Sequence, residues 1–88
     1  MAKRKGITFN YDHTLDLHGL DGLDAIRRLE DLMYRHVDAS VMIIHGRGGG
    51  VLKALVRDFL KDNPYVKETQ YGEDLNIPGG DGVTIIYV

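Results

Sequence analysis

Cysteine is absent from this chain of 88 residues, so neither a disulfide framework nor a thiolate metal site organises it. That absence fits a reducing compartment, and a cytoplasmic location is the expectation. Long apolar runs are lacking too. The longest aliphatic stretch is Val41 to Ile44, too short to cross a bilayer, so no membrane partner is expected. No apolar segment follows the basic residues at the N-terminus, so there is no signal-peptide pattern. Charge of one sign is scarce as well: the net charge is −2, which does not announce a nucleic-acid binder. Its distribution says more. Three of the 11 basic residues are Lys3, Arg4 and Lys5, whereas all 13 acidic residues lie beyond residue 10. Any phosphate binding by the body must therefore come from a local patch.

What is present is an ordinary globular composition, 43% hydrophobic, of a length that suits one domain with a modest core. Residues 1 to 12 show no strong period and are expected to form a flexible basic arm, with residues 13 to 88 as the domain. "TLDLHGL" alternates, with Leu15 and Leu17 on one face and Thr14, Asp16 and His18 on the other, as in a half-buried strand. Asp21 and Asp24 have the spacing of a helix cap. Behind them Ala25, Ile26, Leu29, Leu32, Met33 and Val37 recur at helical intervals.

Val41 to Ile44 is apolar throughout, as in a strand covered on both faces. After a run of glycines, Leu52, Leu55, Val56, Phe59 and Leu60 make a second helical stripe, ended by Asn63 and Pro64. "YVKETQY" is polar and alternating and reads as a sheet edge. The Gly-rich connection from Gly72 to Gly82 is expected to be an irregular, mobile rim that adds nothing to core stability. "VTIIYV" reads as a central strand. The order βαβαββ predicts a two-layer α/β sandwich. Its four-stranded mixed sheet should have three parallel strands, an antiparallel last strand and both helices on one face.

In such a sheet the carboxyl ends of the parallel strands share one edge, where ligands tend to bind. His18 ends the first strand, His45 ends the second, and Asp16 points to the same side as His18. Neighbouring strands about 4.8 Å apart would let the two imidazoles approach one another. Three readings are open: proton transfer by an imidazole that Asp16 orients, a strand-end hydrogen-bond network, and a metal site. Polar residues inside "LDLHGL" favour catalysis. Metal ranks last, because no H-E-x-x-H-type spacing accompanies them.

The segment "HGRGGGVLK" starts a helix, yet it fits neither standard nucleotide motif. Counted from Gly46, a Walker loop would need glycine at Val51, and the one lysine nearby, Lys53, is followed by Ala54 and not by Ser or Thr; the dinucleotide pattern fails at Val51 as well. A seat for a single phosphate remains, built from the backbone of Gly46, Gly48, Gly49 and Gly50, a positive helix end and Arg47. Lys53, Arg57 and Lys61 at i, i+4, i+8 could track a phosphodiester backbone, although a solvated face explains them equally well. His13 and His36 are assigned to the surface or boundary.

"LDLHGL" and "IIHGRGGGVLK", with the later "NPYVKETQYG" and "GGDGVTIIYV", resemble the Smr (small MutS-related) family over residues 14 to 88. The resemblance implies a fold like the C-terminal domain of translation initiation factor three. It also implies endonuclease activity, which nicks DNA in some relatives and cleaves RNA at stalled ribosomes in others. The family's Asp-Leu-His falls on Asp16, Leu17 and His18, and its His-Gly-x-Gly on His45, Gly46, Arg47 and Gly48. Some relatives carry arginine in place of His18. The ATPase and clamp regions of MutS-like proteins are missing, which fits either a domain of a larger MutS-like chain or a small stand-alone protein.

The leading expectation is thus an endonuclease. On RNA, His18 and His45 would act as base and acid without any cofactor, with the Gly46 to Gly50 amides and Arg47 holding the charged phosphorane. On DNA, water must attack, and a divalent metal is the expected helper. The alternative is a non-catalytic module for branched nucleic acid or the ribosome that uses Arg47 and the Lys53 face. A weaker one is an interaction domain that anchors a larger protein.

Overall fold

A computed structural model of the chain describes residues 11 to 88. Its elements run β1 (His13–Asp16), α1 (Gly22–Arg35), β2 (Ser40–Ile44), α2 (Val51–Lys61), β3 (Glu68–Tyr71), α3 (Gly72–Leu75), a 3-10 turn (Gly80–Gly82) and β4 (Val83–Tyr87). The sheet order is β1-β2-β4-β3. β1 and β2 are parallel, and β4 runs antiparallel to both β2 and β3. The first three strands therefore share one direction, with the apolar last strand between β2 and β3, as the sequence predicts.

Ala25, Leu29 and Met33 of α1 and Val56 and Leu60 of α2 bury against Leu17, Val41, Ile43 and Ile86 in one core, which puts both helices on the same face. α1 starts where its cap spacing requires: the Asp21 carboxylate accepts from the Asp24 backbone N–H at 2.9 Å. It ends earlier than its apolar period suggests. His36 is already extended, and Val37 is 79% exposed instead of lying in the core. β3 is also shorter than "YVKETQY", because Asn63 folds its side chain back onto the Tyr65 N–H in a turn.

The segment from Gly72 to Gly82 departs most from expectation. It contains α3 and the 3-10 turn, and its Ile77 packs with Val83 and Ile85, backed by Leu75, in a second core on the sheet face that the helices leave bare. A side chain at Gly72 would collide with the Gly80 carbonyl and with Val83, so the segment closes tightly on itself. It contributes to the core after all. Two apolar residues two positions apart cover open sheet, a role that the Gly and Pro content conceals.

Of the expected arm, residues 1 to 10 lie outside the described residues. Asp12 is tied to β2, with its carboxylate accepting from the Ser40 N–H at 2.9 Å. Among the described residues no helix is long and apolar enough to cross a membrane.

Candidate active site

Asp16 is the last residue of β1, and its alternation turns the carboxylate away from the leucine face. Two residues on, the chain breaks out of the sheet and turns at Gly19, whose φ is +84°. This geometry lets one carboxylate oxygen serve His18 twice: Oδ1 of Asp16 accepts from the His18 backbone N–H at 3.1 Å and lies 2.5 Å from ring Nδ1. A carboxylate only accepts, so Nδ1 is the donor in this bond, and in the neutral ring the free lone pair is on Nε2. The hydrogen bond from the His18 ring, followed by that from its backbone, holds the Asp16 pKa below the usual carboxylate value. Both side chains are exposed, which suits a pair that must meet substrate.

His45 lines the same groove as His18 but is tied into the protein. It is 4% exposed, and both ring nitrogens are engaged within the protein. Nδ1 donates to the Gly46 carbonyl at 3.1 Å, so Nε2 accepts from the Thr84 hydroxyl at 2.8 Å. The Thr84 oxygen in turn accepts from Arg57 Nε at 2.9 Å. Burial pushes the His45 pKa down. The Gly46 carbonyl works against this, and the charges of Arg57 and Lys53 add to the depression. The ring is thus a neutral strut beneath the glycine loop. His45 and His18 line the same groove, as strand adjacency leads one to expect, but their surroundings differ: His45 continues the inward alternation of Val41 and Ile43, while His18 has left its strand and is exposed.

The loop itself is anchored from below: the N–H groups of His45 and Gly46 both donate to the Gly82 carbonyl at 3.0 Å. Gly46, Gly49 and Gly50 have positive φ, and the turn delivers the chain to α2 with Gly50 as N-cap and no side-chain cap. The first-turn N–H groups of α2 therefore point outward unsatisfied by any cap, with no acidic residue nearby in that turn. At Gly46 an added Cβ would stand 3.4 Å from the His18 Cβ, so the two loops lie directly against each other.

The basic residues divide. Arg47 is exposed on the rim, but its Nε pairs with Asp81 at 2.7 Å and its Nη2 donates to the Gly79 carbonyl at 3.2 Å. Lys53 stands 3.9 Å from Glu73 and 3.8 Å from Asp81. Arg57, read from its spacing as a phosphate contact, faces inward instead. Its side chain is 13% exposed, forms a bidentate pair with Glu73 at 2.8 Å and 2.8 Å, donates to the Val83 carbonyl and lies over the Tyr71 ring. That pair lowers the Glu73 pKa to about 2. Lys61 is exposed in the last turn of α2, at the end opposite the glycine loop. The four residues do not form one phosphate track.

Glu73 and Asp81, acids of the Gly-rich segment that the strand directions bring to this edge, support the site as counter-charges, whereas Tyr71 and Thr84 are the supporting residues that the sequence reading missed. The only signal for these two was a threonine inside an apolar strand and a tyrosine at the end of a polar one. Asp16 and His18 could supply two ligands to a cation. Among the described residues no group of three or more His, Asp or Glu side chains is placed to hold a metal ion.

A groove of about 500 Å³ opens between the two βα loops, with His18 and Arg47 at its rim and Val51 and Leu52 along its wall. Fold and site together define a small α/β domain that gathers its reactive groups on the carboxyl edge of its parallel strands. The Smr domain profile matches residues 15–88, and the chain belongs to that family. Endonuclease MutS2 of Clostridium beijerinckii is 39% identical over 83 residues, covering 88% of this chain and 10% of that protein. Endonuclease MutS2 of Carboxydothermus hydrogenoformans is 34% identical over 82 residues, covering 90% of this chain and 10% of that one. The chain thus spans about a tenth of the length of these curated relatives. The crystal structure of the Smr domain of Thermus thermophilus MutS2 shares the fold, with a TM-score of 0.73 at 23% identity, covering 85% of this chain and 95% of that one.

Proposed function

We propose that the domain is a nucleic-acid endonuclease in which His18 is the proton-transfer group and Asp16 its orienting partner. The observation that carries this reading is the exposed Asp16–His18 pair, its Nε2 free, on the rim of a groove that ends at the uncapped start of α2. The endonuclease names of the relatives support the same reaction class.

On RNA the chemistry needs no further group. Nε2 of His18 takes the proton of a 2′-hydroxyl, the 2′-oxygen attacks phosphorus, and the bond to the 5′-oxygen breaks, leaving a 2′,3′-cyclic phosphate. The leaving oxygen takes a proton from solvent, since both ring nitrogens of His45 are engaged within the protein. The first-turn amides of α2 and Arg47 stabilise the charge on the phosphorane. On DNA, water replaces the 2′-hydroxyl, and a divalent ion held by Asp16 and the phosphate would activate it.

Matched RNA and DNA strands, incubated with and without EDTA, test the proposal. Cleavage of RNA in EDTA that disappears in His18→Ala supports the unassisted route, and cleavage of DNA only with a divalent ion supports the second. Tight binding without cleavage of either would replace the enzyme with a nucleic-acid-binding module.

A further inference from the structure

Val51 and Leu55 sit one turn apart on α2, off the stripe of Leu52, Val56, Phe59 and Leu60 that meets the core. Val51 is 78% exposed and Leu55 is 40% exposed, although this is a helix end that the fold could as well make polar. With Leu20 and Leu52 they give the groove beside His18 an aliphatic wall. Gly22 faces that wall: a Cβ there would come within 2.6 Å of Leu55 Cδ2, so a larger residue would push the Leu55 side chain aside. Asp21 also lines the groove, and capping Asp24 occupies only one of its two oxygens.

We propose that this groove seats an unstacked nucleobase. The favoured substrate is then a nucleic acid with an unpaired nucleotide next to the phosphate that His18 addresses. The inference rests on the endonuclease reading for the position of that phosphate.

The occupant follows from what adjoins the groove. One end is a phosphodiester site, so the group one sugar away from the phosphate is a base. An intact duplex offers the groove only sugars and phosphates, because its bases are stacked inside, and the aliphatic wall would face water. A base turned out of the stack covers Val51 and Leu55, and Asp21 can accept a hydrogen bond from its amino or imino group. Turning a base out is cheapest at a mismatch, a fray or a single-stranded junction, and there the groove confers selectivity.

The test uses oligonucleotides with 2-aminopurine at successive positions across a duplex–single-strand junction, bound to the His18→Ala protein so that no cutting intervenes. 2-Aminopurine brightens when it leaves the stack. The expected result is increased emission at one position beside the junction. Val51→Ser should then lower affinity for the junction roughly fivefold, the scale expected for the apolar contact that Val51 loses, and leave affinity for a fully paired duplex unchanged. Unchanged emission at every position, or equal weakening toward paired and unpaired ligands, would overturn the proposal. Emission is read without catalysis, so a brightened base with no cleavage by the wild-type protein would sink the endonuclease reading alone.

Discussion

Oδ1 of Asp16 lies 2.5 Å from Nδ1 of His18 and also accepts the His18 backbone N–H at 3.1 Å. One oxygen therefore sets both the rotamer and the tautomer of the ring. Losing the imidazole should abolish cleavage, and Asp16→Asn, which can present its amide instead of an acceptor, should reduce it by a factor on the order of 10² to 10⁴. Neither change should move the melting temperature by more than about 2–4 °C, because both side chains are exposed and the strand packs through Leu15 and Leu17. Single-turnover rates and thermal melts on the same samples check this. Wild-type rates in either variant would remove the pair from the mechanism.

Thr84→Val should act oppositely, on stability first. It takes the partner from both His45 Nε2 and Arg57 Nε inside the protein, at a cost of about 1–3 kcal/mol, readable as a lower urea midpoint. His45→Ala should do at least as much harm. A His45 variant that keeps full stability but loses only its rate would restore this ring to the catalytic group.

Acid should weaken the fold in two stages. His45 has a folded pKa below its unfolded value of 6.5, so the unfolded chain binds the extra proton first, and stability falls as pH drops below about 6.5. Glu73 is lowered from 4.5 to about 2, so its share of stability is complete above about 4.5 and is lost as pH falls toward 2. Glu73→Gln should shrink the second stage, which Asp16 also feeds, and cost about 1 kcal/mol at neutral pH by breaking the partly solvated pair with Arg57. Urea midpoints measured from pH 8 to pH 3 would reveal both stages.

Arg47 and Asp81 make an exposed ion pair, which contributes little to stability. Asp81→Asn should therefore release Arg47 toward phosphate. Nucleic-acid affinity is expected to rise severalfold with an unchanged melting temperature, and Arg47→Ala should lower affinity and flatten its salt dependence. Arg57→Ala, in contrast, should lower the melting temperature, since that side chain clamps α2 to α3 and β4. Equal affinity losses at 47 and 57 with no loss of stability would mean that the helix face carries the contact.

The element order, the Asp21 cap, the central position of "VTIIYV" and the exposed Asp16–His18 pair were legible in the sequence. Each depends on interactions within a few residues or on the period of one element about its own axis. Tertiary structure alone decided the rest. Whether His45 is a catalyst or a strut depends on Thr84, 39 residues away, and whether Arg57 meets phosphate depends on Glu73, 16 residues away. Periodicity tells which way a side chain points from its own helix or strand. It says nothing about what another segment places opposite, and for a charged or titratable group that opposing partner determines its role.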